Sequence, residues 1–540
     1  MNKKNLFLVL IVLMAVIFGL VMGNIIAKRQ IISENPALHG IFSNILNSDN
    51  KIQELLQLID ESYVDTINMD QITEDVALDL IAKLDPHSVY IPALDVETVN
   101  DELEGSFSGI GVQFNIQNDT IMIVSVVSGG PSEKAGLIAG DRIVLVNDTL
   151  FVGKKINNEL VLKKLRGKEK SKVKIGVKRN GTAKILNYTI TRGNIPVSSV
   201  DISYMITPET GFIKVNKFGD KTYAEFLTSI ADLKNKGAKK FIIDLRENSG
   251  GYLERAIQMI NEFLPAKQLI VYTEGKSYPR SDAFSDGTGS CIKNPVIILI
   301  DEFSASASEI FAGAIQDNDR GLVIGRRSFG KGLVQQQREL SDKSAVRLTV
   351  AKYYTPSGRC IQKPYKNGKT DDYNMDIMNR YMHGEFDNAD SIQKNDTTKY
   401  KTKKGRIVYG GGGIMPDIFV PRDTSSYTPY FNDIINMAHL YQFAFQYTDK
   451  NRSSLSKIKN WKAMNQYLDA QNLIDQFVRY TTAKGIKPAP AHLAKSKQEI
   501  LLRLKAYISR NILGDPGFYP ILFEKDPTVI RALKEIAKMK

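Results

Sequence analysis

Phe303-Ser304-Ala305-Ser306-Ala307-Ser308-Glu309-Ile310 follows an unbroken apolar run, Pro295-Val-Ile-Ile-Leu-Ile300. The run predicts a buried strand, and Ile310, Phe311, Ala314 and Ile315 recur at helical spacing just beyond it. The octapeptide is therefore a strand-to-helix turn that places three serines at a helix start. Backbone N–H groups there lack intrahelical partners, so an oxyanion formed beside them is stabilised. A nucleophilic serine also needs a base. The five histidines (His39, His87, His383, His439, His492) fall outside the segments read as building this core. A buried lysine is the usual substitute. Lys331, 25 positions after Ser306 in Ser328-Phe329-Gly330-Lys331-Gly332, is the candidate. The pattern is that of a serine–lysine hydrolase.

The same rhythm extends outward. Lys239-Lys-Phe-Ile-Ile-Asp-Leu245 runs into Arg246-Glu-Asn-Ser-Gly-Gly251 and then a helix through Leu264. Leu322-Val-Ile324 and Val346–Tyr354 continue the strands, and such alternation predicts a layered α/β core. Upstream, Gly109–Ile116 alternates, Ile121–Val127 is β-branched, and Asn180-Gly181 marks a hairpin turn. With short helices at Pro131–Ala135 and Asn157–Leu165, this block predicts a compact binding module. Helical periodicity covers 49–84 until Asp85-Pro86 stops it. Residues 364–405, rich in Asn, Asp, Lys and Thr, predict a surface insertion. From Tyr427 the chain reads as helical.

Nine phrases in order resemble the C-terminal processing peptidases, or tail-specific proteases. They are Leu84-Asp-Pro-His-Ser88, Phe107-Ser-Gly-Ile-Gly-Val112, Gly129-Gly-Pro-Ser-Glu-Lys-Ala-Gly-Leu137, Gly140-Asp-Arg-Ile143, Asp244-Leu-Arg-Glu-Asn-Ser-Gly-Gly251, Ser304–Ile310, Phe329-Gly-Lys-Gly332, Tyr354-Thr-Pro-Ser-Gly358 and Gly413-Ile-Met-Pro-Asp417. The resemblance covers most of 50–423. It implies a crotonase-like layered α/β protease core with an inserted or preceding PDZ domain and flanking helical segments. The expected organisation is a signal anchor over 1–28, a helical region over 40–104, a PDZ domain over 105–192, a serine protease core over 196–423 with the insertion 364–405, and a basic helical region over 424–540.

The resemblance also assigns roles. Ser306 aligns with the nucleophile, while Ser304 and Ser308 read equally well as helix caps. Lys331 is the base, which requires burial to lower its pKa, and Gln335 is the third member, with Gln336 and Gln337 as adjacent alternatives. Backbone N–H groups at Gly250, Gly251 and Ala307 are the implied oxyanion hole. Gly109, Ile110, Gly111 and Val112 resemble the carboxylate loop of a PDZ domain, and Leu162 and Leu165 would line its groove helix. Glu309 either tunes the site or makes a helix salt bridge, and His87 reads as a structural turn residue. The implied partners are protein or peptide substrates with free C-terminal carboxylates, and a homo-oligomer stays open. No metal or other cofactor is implied: there is no His/Cys cluster and no phosphate loop. The alternative function is a PDZ-containing scaffold or chaperone with an inactive protease-like core.

The net charge of +13 is uneven, since residues 424–540 hold 18 Lys/Arg against 9 Asp/Glu. These charges are spread singly along helices, which favours a solvated face over a nucleic-acid surface. Lys3 and Lys4 precede Leu6–Gly23, 18 residues without a polar side chain. That length predicts an uncleaved single-pass anchor in the cytoplasmic membrane, with the catalytic part on the periplasmic or extracellular side. Cys291 and Cys360 are the only cysteines, and either a disulfide or two isolated thiols suits an exported chain.

Overall fold

The computed structural model describes residues 51–539 except 118 and 394–397. The described residues divide into two compact units that part between Leu84 and Asp85. In the described part of the first unit, Lys51–Ser62 and Met69–Ala82 are helices. Asn68 caps the second by accepting from Gln71 N. The expected anchor over 1–28 lies outside the described residues. The expectation of a single-pass membrane protein is corrected: among the described residues no helix is long and apolar enough to cross a membrane.

The second unit is built on a six-stranded sheet in sequential order: β1 (Val200–Thr207), β2 (Thr210–Val215), β3 (Lys240–Asp244), β4 (Val296–Ile300), β5 (Leu322–Gly325) and β6 (Ile418–Phe419). β1 pairs antiparallel with β2, and the remaining pairings are parallel. Parallel strands covered on both faces carry apolar residues at every position, as Phe241-Ile-Ile243 and Val296–Ile300 do. Ile213, Phe241, Ile243, Ile298 and Ile300 pack on one side, with Phe226, Met259, Ile260, Phe311 and Ile315 from the crossover helices. Phe212, Ile242, Ile297, Leu299 and Ile324 face the other way and meet Phe523, Val529, Ala532 and Ile536.

A second sheet orders Val89–Ile91, Ala345–Tyr354, Leu269–Gly275 and Tyr278–Phe284, with Leu333–Glu339 also paired to Ala345–Tyr354. The block from Val112 to Thr191 forms its own six-stranded antiparallel sheet around Ile121, Ile123, Ile143, Val161, Leu165 and Val173. Its helix Asn158–Leu165 starts at Asn157, whose side chain accepts from Leu160 N. Beyond 428, seven helices run to Lys538 among the described residues; most pack on one another around Phe443, Phe477, Ile500 and Leu504.

Most described residues of the segment 364–405 are exposed, while Tyr373, Arg380, Glu385 and Phe386 are buried and anchor it. Arg327 and Arg380 share the Glu385 carboxylate at 2.5–2.8 Å, and Arg380 donates to the Arg327 and Ser328 carbonyls. Composition hid this, because the residues doing the burying are themselves polar and mutually paired. Cys291 and Cys360 are both free thiols.

Candidate active site

Helix Ala307–Asp317 is buried along its whole length, and Ser304 and Ser308 tie its start to the Leu245 and Asn248 carbonyls just beyond β3. Ser306, the residue before it, has φ 54° and ψ −113°. A non-glycine residue held at positive φ is strained by roughly 1–3 kcal/mol and persists only where its surroundings enforce it. Here the Ser306 N–H donates to Glu309 Oε2 at 2.8 Å, and the Tyr353 hydroxyl donates to the Ser306 carbonyl at 3.1 Å. The turn also needs glycine opposite: a Cβ at Gly250 would stand 2.7 Å from Ser306 Cβ and 3.1 Å from Ala307 N.

The three serines separate by their partners. Ser304 Oγ is fully buried, donates to the Leu245 carbonyl at 2.8 Å and accepts from Asp301 N. Ser308 Oγ is likewise buried and donates to the Asn248 carbonyl at 2.9 Å. Ser306 is half-buried and lines a cavity of about 980 Å³ together with Gly250, Gly251, Lys331 and Gln335.

Lys331 enters that cavity from the turn before strand Leu333–Glu339, and its Nζ donates to Gln335 Oε1 at 2.8 Å. Gly332 beside it lets the turn pack closely, since a Cβ there would stand 2.8 Å from Gln362 N. Burial, with the Arg347 guanidinium adding, holds the Lys331 amine below the usual lysine range. Gln335 Nε2 in turn donates to the His87 carbonyl. The His87 ring is hydrogen-bonded to the Tyr373 hydroxyl at 2.7 Å, and burial followed by the Lys331 charge brings its pKa down to about 4. His87 is thus more than a turn residue. It lies outside the segments read as building the core, yet its carbonyl reaches the site across 248 positions of chain.

Glu309 makes no helix salt bridge. Its fully buried carboxyl accepts from Ser306 N, Ser328 Oγ, Gly330 N and Lys331 N at 2.6–2.8 Å. One side chain therefore ties the serine turn to the lysine turn. Burial pushes its pKa up to about 7 against the pull of those four donors. Sequence spacing placed Glu309 near Ser306 but gave no sign that residues 328–331 converge on it.

The other expected positions fall as follows. The Gly250 N–H is already given to Asn248 Oδ1 at 2.9 Å, so of the three amides expected at an oxyanion hole this one is engaged within the protein. Gly251 sits where a Cβ would meet the Phe218 carbonyl at 2.3 Å. In the module ahead of the core, Gly109 pairs with Gly193, the buried Ile110 accepts from Ser132 N, Gly111 accepts from Val127 N, and Val112 opens the edge strand. Leu162 is 36% exposed, whereas Leu165 is buried at 4% and belongs to the module's core, as does Val161. At helical spacing Leu165 points inward with Val161.

Residues 108–190 match the PDZ domain family, and 209–375 match peptidase family S41. The carboxy-terminal-processing protease of Bartonella bacilliformis is 34% identical over 314 residues, which make up 57% of this chain and 71% of that protein. The chain belongs to the carboxy-terminal processing proteases. Another relative, the carboxy-terminal processing protease CtpB of Bacillus subtilis, is 33% identical over 317 residues, spanning 58% of this chain and 65% of its own length. A solved photosystem II D1 C-terminal processing protease is 26% identical, with 57% of this chain and 88% of that one covered at a TM-score of 0.33. Residues 430–514 match a family of unknown function. The family is one of serine-type peptidases with the mixed α/β core and PDZ domain described above.

Proposed function

We propose that this chain is a serine endopeptidase that cleaves proteins near their C-termini, with Ser306 as nucleophile and Lys331 as general base. The observation that carries the reading is the half-buried lysine, held by Gln335 in the same cavity as a strained serine. Neutral Lys331 takes the hydroxyl proton as Ser306 Oγ bonds to the scissile carbonyl carbon. The resulting oxyanion lies toward the Gly251 and Ala307 amides, where one such donor is typically worth about 3 kcal/mol. The Lys331 ammonium then returns the proton to the leaving amine, and water repeats the sequence on the acyl-enzyme. Gln335, anchored on the His87 carbonyl, keeps the lysine aimed. The PDZ domain supplies the substrate: the 110–112 turn takes a free terminal carboxylate while the tail adds to Val112–Gln117 as a strand.

The test is peptidase activity on an unfolded protein substrate and on a tailed peptide. Ser306→Ala should lose several orders of magnitude of activity. Lys331→Arg should be as inactive as Lys331→Ala, because arginine stays charged and cannot accept the proton. Wild-type activity should rise with pH through the lowered Lys331 value, since only the neutral amine is a base. A mostly active Lys331→Arg variant would end the reading. So would full tail binding with no turnover at any pH, the behaviour of a scaffold.

A further inference from the structure

Val112–Gln117 is the edge strand of the PDZ sheet. A peptide added along that edge sends alternate side chains to opposite faces. One set faces helix Asn158–Leu165. The other set faces the side of the sheet that carries Asn115, Met122 and Val124, where Asn115 pairs across from Met122. That side is occupied by the C-terminal helices. Phe445 of helix His439–Leu455 is buried against Met122 and Val124, and Arg452 donates to the Ala139 carbonyl at 2.9 Å. Toward the free edge, a cavity of about 460 Å³ remains between the two. Gln113, Asn115 and Val124 form part of its sheet wall, and Arg503, Tyr507 and Arg510 part of its helical wall, with no acidic side chain lining it among the described residues. Arg503 pairs with Glu499 at 2.5 Å and Arg510 with Asp515 at 3.0 Å. A guanidinium carries five N–H donors, so one carboxylate does not exhaust either. Both side chains are about a quarter to a third accessible, at 30% and 24%.

We infer that this cavity reads acidic side chains at the second and fourth residues from the end of a bound C-terminus. The inference rests on the proposed reading of the PDZ domain, which turns the apolar terminal residue toward helix Asn158–Leu165 and therefore the second and fourth residues toward Arg503 and Arg510. It gives the helices matched only to a family of unknown function a role in choosing substrates.

The experiment uses the full chain carrying Ser306→Ala, so that peptides are bound without being consumed, and reads affinity by fluorescence anisotropy. All peptides end in leucine and differ at chosen positions. Glutamate at the second and fourth positions should bind roughly five- to tenfold tighter than alanine there, as expected of charge-assisted hydrogen bonds at a partly exposed site. Lysine at those positions should bind more weakly than alanine, and glutamate moved to the third and fifth positions should bring no gain. Arg503→Ala with Arg510→Ala should bring the glutamate preference close to one. Equal binding of the glutamate and alanine peptides, an equal gain in the shifted register, or a preference that survives the double variant would overturn the inference. The lysine and shifted-register peptides probe the protein with both arginines in place, so they decide the matter even if the double variant fails to fold. An amidated glutamate peptide separates the two readings. If it binds as tightly as the free acid, the carboxylate reading fails and takes this one with it; if only the glutamate preference is missing, this one fails alone.

Discussion

The two faces of the central sheet are covered in different ways. The site face is closed by its own crossovers: helices Thr222–Asn235, Leu253–Asn261 and Ala307–Asp317 lie between the strands they cover. The opposite face waits for the end of the chain, where Asp515–Phe523 and Pro527–Lys538 deliver Phe523, Val529, Ala532 and Ile536. The closing helices also reach the site's own scaffold. Arg246, which leads into the Asn248–Gly251 turn, pairs with Asp244 at 2.7 Å and with Asp526, the cap of the last helix, at 2.8 Å. Ser306, Lys331 and Gln335 thus come from one stretch of sequence, with His87 reaching them across 248 positions, while the far face of the sheet is covered by the helices from Asp515 onward.

The sharpest way to break this comparison is to open the far face. Phe523 is buried against Phe212, with ring centroids 5.4 Å apart. Phe523→Ala should lower stability by about 3–5 kcal/mol, measured by denaturant unfolding. If the last helices were merely appended, the loss would stay below about 1 kcal/mol.

A second experiment asks whether pH sensitivity resides on the site face. The Glu309 pKa is raised from 4.5 to about 7, so the folded state holds that proton more tightly than the unfolded state does. The associated stability is fully present below the unfolded value of 4.5 and is lost as pH rises through about 7. The difference of about 2.5 units corresponds to about 3 kcal/mol between pH 4 and pH 8. Glu309→Gln cannot titrate, so its stability should change by that much less over the same range. An amide in this position also sets N–H against donors, so the variant should be less stable than wild type at pH 8 by about 1–3 kcal/mol. Parallel stability–pH curves for the two proteins would show that Glu309 titrates alike in both states.

How far each part could be read from sequence follows the same division. The strand-to-helix turn at 300–306 was legible because its signals are local, an apolar run and small residues at short spacing, whereas Lys331 and Gln335 were singled out by the family resemblance, with Gln336 and Gln337 left open beside Gln335. The doubly apolar strands said that both faces are covered, without saying by what. Glu309 looked like an ordinary first-turn acid, since nothing in its neighbourhood encodes the approach of Ser328, Gly330 and Lys331. His87 and Tyr373 were hidden by distance along the chain, and Arg380 and Glu385 by belonging to a segment polar enough to pass for surface. Leu162 and Leu165 could not be told apart until the helix was packed, because one turn of an amphipathic helix offers both an inward and an outward leucine.

Ser306 as the activated hydroxyl and Lys331 as its base are tested together by treating the full chain with a serine-directed fluorophosphonate and locating the adduct by peptide mass spectrometry. One adduct is predicted, on Ser306, forming faster as pH rises and falling to background in Lys331→Ala while Ser304→Ala still labels. An adduct on Ser304 or Ser308, or undiminished labelling of Ser306 without Lys331, would contradict both assignments.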